Sequence, residues 1–188
     1  MARRNRMAPR IRRALLASLL AIAVAACAAA PPELEPEAPR SPARGQVVRF
    51  SYPTLDGQTL STTTLSGRFT VLGFITTYDH FSHAQARFLS TLVNRYVPRI
   101  NAGLIILEPP QNRVLMEAFQ NVVAPPYPIA MADEATIRGE GPFEDVREVP
   151  TVVILDQLGR EGWRHKGLAS NDMIAAALNA LRQGKTPP

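Results

Sequence analysis

Residues 149–160 read V-P-T-V-V-I-L-D-Q-L-G-R, from Val149 to Arg160, and carry the clearest structural signal in the chain. Positions 151–155 are apolar or β-branched without alternation, which is typical of a strand buried on both faces. Asp156-Gln157-Leu158-Gly159 is a turn sequence, and residues 160–166 follow it as a return strand. The segment therefore predicts an antiparallel hairpin whose first strand lies inside a sheet.

Further strands and helices alternate around this hairpin. Strand-like runs lie at residues 46–50, 69–76, 104–107 and 129–131, and apolar residues recur at helical spacing in residues 82–96, 112–123 and 171–181. Ser170 is predicted to cap the last helix. The apolar face predicted for the second helix consists of Val114, Leu115, Ala118, Phe119 and Val122. Strands separated by helices predict βα units, parallel strand pairing and an α/β fold.

The amino terminus has the pattern of a secretory signal. Residues 1–13 contain six arginines and no acid, and residues 14–26 are apolar except for Ser18. The apolar run is shorter than the roughly 20 residues of a membrane-spanning helix. Val24-Ala25-Ala26-Cys27 resembles a lipobox, so residues 1–26 are predicted to be a lipoprotein signal peptide and Cys27 the acylated first residue of the mature chain. The other possibility is an ordinary signal peptide with a chance cysteine.

Residues 27–45 are predicted to be a linker, because five prolines separate residues that have little to bury. Residues 46–184 then form one domain, and residues 185–188 are predicted to be a disordered tail. Removing the six arginines of the signal leaves 15 basic and 16 acidic residues, a net charge of −1. The mature sequence has no basic run, and this argues against nucleic acid as a partner.

Two segments resemble the TlpA/ResA-type thioredoxin-like proteins, which are related to the AhpC/TSA group. Residues 52–61 (Y-P-T-L-D-G-Q-T-L-S) and 65–74 (L-S-G-R-F-T-V-L-G-F) are similar to the family's opening P-x-L-D-G-K-x-x-S-L-x-x-L-x-G-K and the strand after it. Residues 149–160 are similar to its V-P-T-x-x-(apolar)-(apolar)-D-x-x-G-R. The resemblance covers nearly all of residues 46–183. It implies a thioredoxin-like fold, with a central mixed β-sheet flanked by helices and a cis peptide before Pro150.

The sequence departs from the family at the active site. The family places C-x-x-C after the first buried strand, and this chain has Asp79-His80-Phe81-Ser82 there, with Asp79 and Ser82 at the two cysteine positions. Thiol–disulfide exchange needs one thiolate that attacks and a second thiol that resolves the mixed disulfide. Neither a carboxylate nor a hydroxyl does this, and the only cysteine, Cys27, is assigned to the anchor. The resemblance thus implies a degenerate site without a catalytic residue.

The Asp79 turn has two interpretations. Asp79 is placed to cap the following helix, because its carboxylate accepts hydrogen bonds from free N–H groups at the positive end of the helix dipole. The alternative is a copper or zinc site made of Asp79, His80 and His83, since imidazole suits both metals. Ligands from a single exposed turn lack the orienting groups that such sites need. The sequence therefore predicts neither a metal nor a cofactor.

The family fold has a peptide groove between this turn and the proline loop. In thioredoxin-like proteins the backbone before the cis-proline pairs with an extended peptide, and the resemblance assigns this role to Val149. The candidate groove residues are Asp79, His80, Phe81, Val149, Pro150 and Thr151.

The sequence favours a redox-inactive binding or scaffold module for a periplasmic protein or extended peptide. The module is expected to be anchored through Cys27 to the periplasmic face of the outer membrane. Two alternatives stay open: a TlpA-type thiol–disulfide oxidoreductase that works with a partner's thiols, and a copper or zinc carrier.

Overall fold

A five-stranded sheet forms the centre of the computed structural model, which describes residues 45–96 and 99–188. In chain order the strands are β1 (Ser51–Pro53), β2 (Thr59–Ser61), β3 (Phe69–Ile75), β4 (Ile100–Ile106), β5 (Ile129–Met131), β6 (Thr151–Leu155) and β7 (Glu161–Lys166). The helices are α1 (His80–Tyr96), α2 (Arg113–Val123), α3 (Glu134–Ile137) and α4 (Asn171–Arg182), and a short 3₁₀ turn (Pro110–Asn112) precedes α2.

The sheet is mixed and has the strand order β5-β4-β3-β6-β7. Strands β3, β4 and β5 are parallel neighbours, whereas β6 runs antiparallel to both β3 and β7. The predicted hairpin and the predicted mixed sheet flanked by helices are therefore confirmed. Strands β1 and β2 pair with each other in a separate antiparallel sheet.

Alternate side chains of the central strands supply two apolar layers. Val71 and Ile75 of β3 pack against α1 and α4, while Leu72 and Phe74 point to the opposite layer. That second layer contains Tyr52, Leu60, Phe143 and Val146. Since both faces are covered, the continuous apolar runs noted in the sequence belong to strands buried on two sides.

Two sequence predictions are wrong in detail. Residues 46–50 form no strand; Val47 makes a single bridge with Arg160, and the first strand begins at Ser51. The face of α2 that meets the core contains Met116 and Phe119. Val114, Leu115 and Val122, expected on the same face as Phe119, are 75%, 56% and 71% exposed.

The cause lies in the composition of α2. Met116, Phe119 and Val123 also recur at helical spacing, and all three pack against the core. A helix that is apolar around most of its circumference does not reveal from periodicity alone which side is buried.

The predicted signal peptide (residues 1–26), the lipidated Cys27 and the linker up to residue 44 lie outside the described residues. No helix in the described part of the chain is long and apolar enough to cross a membrane. The tail from Lys185 forms no helix or strand. Its first amide donates to the carbonyl of Ala180, and the carbonyl of Pro188 accepts from the Trp163 indole at 3.2 Å.

Candidate functional site

The turn between β3 and α1 is built around Asp79. The Asp79 carboxylate accepts a hydrogen bond from the backbone N–H of Ser82 at 2.7 Å and from its hydroxyl at 2.8 Å. The first amides of a helix have no partner within the helix, so a carboxylate at this position satisfies one of them and meets the positive end of the dipole. The contacts that the sequence predicts for an N-cap are present.

Asp79 is held in its ionised form. Partial desolvation raises the pKa of its carboxyl, but the hydrogen bonds from Ser82, the amide of Phe81 and the nearby His80 together outweigh it. The pKa of Asp79 therefore lies below its ordinary value. A helix amino terminus also lowers the pKa of a cysteine thiol placed there. In this chain the position holds a carboxylate.

Ser82 is fully buried, and its hydroxyl has two partners. It donates to Asp79 and accepts from the backbone N–H of Thr76 at 3.2 Å. A nucleophilic serine needs access to substrate and a base that takes its proton. Ser82 has no access to solvent, so its role is to join the end of β3 to the start of α1.

Glu108 supports the turn from below, and the sequence analysis did not single it out. Its side chain is 1% exposed, and one carboxylate oxygen accepts from the backbone N–H of Thr77. The other oxygen accepts from the Asn112 amide at 2.9 Å. A signal was available, because an acid that directly follows a buried strand and precedes two prolines is poorly placed for solvent and needs partners.

The two histidines of the turn are separated by their contacts. His83 donates from Nε2 to the carbonyl of Thr77 at 2.7 Å, and its ring packs edge-on against Phe119 at 4.9 Å. His80 is exposed on the first turn of α1. Across residues 45–96 and 99–188 no three His, Cys, Asp or Glu side chains are grouped as metal ligands. The described structure therefore does not assemble Asp79, His80 and His83 into a metal site.

The chain enters β6 through the remaining candidate groove residues, Val149, Pro150 and Thr151. The Val149–Pro150 peptide is cis, as the family resemblance implies. Thr151 is the register partner of Phe74 near the end of β3, so this loop lies beside the Asp79 turn. The Thr151 hydroxyl donates to the carbonyl of Glu148 at 2.6 Å and fixes the bend.

Groups in these two segments are exposed or have no hydrogen-bond partner among the described residues. Within the described residues, no hydrogen bond uses the backbone N–H or C=O of Val149, which is half-buried. The side chains of Tyr78 and Phe81, on either side of Asp79, are 75% and 62% exposed. Exposed aromatic side chains and backbone groups without an internal partner are features of a surface that binds other proteins.

Several solved structures are similar to this chain over most of their length. A secreted disulfide oxidoreductase of Mycobacterium tuberculosis, homologous to E. coli DsbE, is 20% identical with a TM-score of 0.59, covering 71% of this chain and 96% of its own. A putative thiol:disulfide interchange protein DsbE from Chlorobium tepidum is 16% identical with a TM-score of 0.61, covering 73% of this chain and 96% of its own. A thioredoxin-like protein from Aeropyrum pernix is 19% identical with a TM-score of 0.59, covering 71% of this chain and 89% of its own.

No family model and no curated protein sequence matches the chain. At these identities the structural neighbours establish the fold. The expectation from the two sequence segments is confirmed at that level: the chain has the thioredoxin-like fold of the DsbE-type and related proteins, with Asp79 and Ser82 at the start of its first long helix.

Proposed function

We propose that this protein is a thioredoxin-like binding module of the bacterial cell envelope that does not catalyse thiol–disulfide exchange. The observation that carries the proposal is the hydrogen-bonded Asp79–Ser82 pair at the helix start. Both side chains are engaged in holding the turn, and neither can form the mixed disulfide that exchange requires. The only cysteine of the chain is Cys27, which the lipobox resemblance assigns to the anchor.

The ligand is an extended segment of a periplasmic protein, bound in the groove beside Val149. The unpaired N–H and C=O of Val149 supply backbone hydrogen bonds, as in the addition of a strand to a sheet edge. Exposed Tyr78 and Phe81 supply apolar contact area. In this proposal the Val149–Pro150 loop binds the ligand, and the Asp79 turn has a structural role.

The place of action is the periplasmic face of the outer membrane. Support comes from the basic and apolar signal, the lipobox resemblance at Cys27 and the absence of an aspartate directly after it. The Mycobacterium tuberculosis neighbour is likewise described as a secreted protein. Globomycin should accumulate the uncleaved precursor, and the Cys27→Ala variant should leave the membrane fraction. An exported and cleaved Cys27→Ala variant that stays in the membrane fraction contradicts the lipid anchor.

Site-directed photo-crosslinking in cells tests the groove. A photoreactive residue at position 81 should give a crosslinked product, whereas the same residue at Leu158, equally exposed but outside the groove, should not give that product. The product should decrease in a Val149→Pro variant that folds normally by circular dichroism, because proline has no N–H to pair with the ligand. Equal products at positions 81 and 158, or no effect of Val149→Pro, contradict the groove.

The second candidate is a TlpA-type oxidoreductase that uses the thiols of a partner. The fold favours it, since the neighbours in M. tuberculosis and C. tepidum are described as a disulfide oxidoreductase and a putative thiol:disulfide interchange protein. Insulin reduction by dithiothreitol separates the two candidates. The Cys27→Ala protein should not accelerate the reaction, either alone or with a membrane extract. Acceleration that requires the protein and the extract together favours the second candidate.

A further inference from the structure

A second groove lies at the end of the sheet opposite the Asp79 turn. It has a volume of about 1120 Å³ and lies between the turn after β6, the start of β7 and the carboxyl end of α4. Four cationic side chains line it: Arg99, Arg160, Arg182 and Lys185. They come from distant parts of the sequence, which explains why no basic run marks this surface in the chain.

The acids of this groove are already paired. Asp156 pairs with Arg160 at 2.7 Å, and Glu161 pairs with Arg164 at 2.7 Å, both side chains of the latter pair being nearly buried. No ion pair between described residues uses Arg99 or Lys185, which are exposed. The surface therefore carries an excess of positive charge that faces solvent.

Helix stability explains only one of these cations. Arg182 lies in the last turn of α4, where a positive charge is favoured by the helix dipole, and its guanidinium lies 5.4 Å from the Tyr96 ring centre. Arg99 precedes β4, and Lys185 lies beyond α4, so neither belongs to the last turn of a helix as bounded in the structure. Both side chains are therefore available to contact an anion outside the protein.

The chain enters the domain on the same surface. Gly45, the first described residue, lines the groove, and so does Leu158, which is 63% exposed. The segment from Cys27 to Gly45 has a reach of roughly 50 Å if extended. A lipid on Cys27 thus tethers the domain by the end that carries the cations and an exposed leucine.

We infer that this face docks on the anionic phospholipid surface of the bilayer. Arg99, Arg182 and Lys185 contact headgroup phosphates, for which guanidinium and ammonium groups are suited. Leu158 contacts the boundary between headgroups and acyl chains. The Asp79–Val149 groove, at the other end of the sheet, then faces away from the membrane and towards its protein ligand. The inference rests on the proposed envelope location but not on the groove's activity.

Vesicle sedimentation of the mature Cys27→Ala chain measures headgroup binding without the lipid anchor. The protein should bind vesicles with phosphatidylglycerol and not vesicles of phosphatidylcholine alone, and binding should weaken as salt rises. Arg99→Glu with Lys185→Glu should weaken binding about tenfold or more. Arg87→Glu with Arg147→Glu makes the same change in net charge on exposed residues outside the groove and should have a much smaller effect.

Three results overturn the inference. They are no binding of the folded Cys27→Ala chain to anionic vesicles, an equal loss in the two double variants, or tighter binding to duplex DNA than to anionic vesicles. Circular dichroism confirms that each variant is folded, so a loss of binding reports the surface. A negative result in these vesicle experiments does not change the outcome expected from photo-crosslinking in the Val149 groove.

Fluorescence of the lipidated protein measures orientation directly. A bimane label at Leu158→Cys should be quenched by lipids that carry a quencher, whereas a label at Phe81→Cys should not. Both positions are exposed to a similar degree, 63% and 62%. Equal quenching at the two positions overturns the docked orientation.

Discussion

The two walls of the candidate groove keep different parts of the thioredoxin-like pattern. The wall at Val149–Pro150 keeps the cis peptide and a backbone with no partner among the described residues. The wall at Asp79 keeps the shape of a strand-to-helix turn but fills it with hydrogen bonds between side chain and backbone. Under the proposed function, binding and chemistry are separable, because backbone pairing and the positions of the family's reacting groups lie on different walls.

The largest expected effect comes from restoring sulfur to the second wall. In the Cys27→Ala background, Asp79→Cys with Ser82→Cys should create a reducible disulfide and accelerate insulin reduction by dithiothreitol above the rate seen with the Cys27→Ala parent. Asp79 and Ser82 have the spacing of the family's two cysteines, and their side-chain oxygens meet at 2.8 Å. The matched control is Asp79→Cys alone, which lacks the resolving thiol.

A folded double variant without activity would show that this wall differs from the family in more than two side chains. Free-thiol titration after oxidation separates the possible causes. Failure to form the disulfide reports the geometry of the turn, whereas a formed disulfide without activity reports the surroundings of the site.

Removing the buried support of the turn should have the largest effect on stability. Glu108→Met removes both acceptors at similar volume and should cost about 1–3 kcal/mol, because the amide of Thr77 loses its partner. Glu108→Gln keeps one oxygen and should cost less. Urea denaturation of the three proteins measures the difference, and a Glu108→Met variant as stable as wild type contradicts this role.

Removing the cap should cost less. Asp79→Ala is expected to reduce the free energy of unfolding by about 0.5–2 kcal/mol, and Asp79→Asn or Asp79→Ser by less, since both side chains still accept hydrogen bonds. Thermal melts test this with and without copper or zinc. An Asp79→Ala variant as stable as wild type contradicts the capping role. A rise in wild-type Tm on adding metal, lost in all three variants, supports the metal site instead.

The smallest effect is on the pH dependence of stability. Because the pKa of Asp79 is lower in the folded state, ionised Asp79 contributes stability that is present above the ordinary value of about 3.9. That contribution is lost as pH falls through the folded value. The stability difference between wild type and Asp79→Asn should therefore be constant near neutral pH and narrow below about pH 4.

Other carboxyl groups with a lowered pKa contribute equally to wild type and Asp79→Asn, so they do not affect the stability difference between the two proteins. The pKa of Asp145 is lowered by its bond with Lys166, and that of Asp56 by its bond with Thr54, in both proteins. A difference between the two proteins that widens on acidification contradicts the role of the Asp79 charge.

Features that depend on neighbours in sequence were predictable. The buried strands β3 and β6, the hairpin after Leu155 and the caps at Asp79 and Ser170 rest on residues within a few positions of one another. Glu108 was missed because its partner Thr77 is 31 positions away. The core side of α2 was missed because its apolar residues extend around the helix, and only the packed sheet selects Met116.

The hydroxyl of Ser82 couples two elements that the backbone alone would leave independent. It holds the Thr76 amide at the end of β3 and the Asp79 carboxylate at the start of α1. Fraying of the first helical turn therefore removes the partner of the Thr76 amide, which directly follows β3, and we expect the two ends to open together. In hydrogen–deuterium exchange, we therefore expect the amides of Thr76 and Ser82 to show the same free energy of opening.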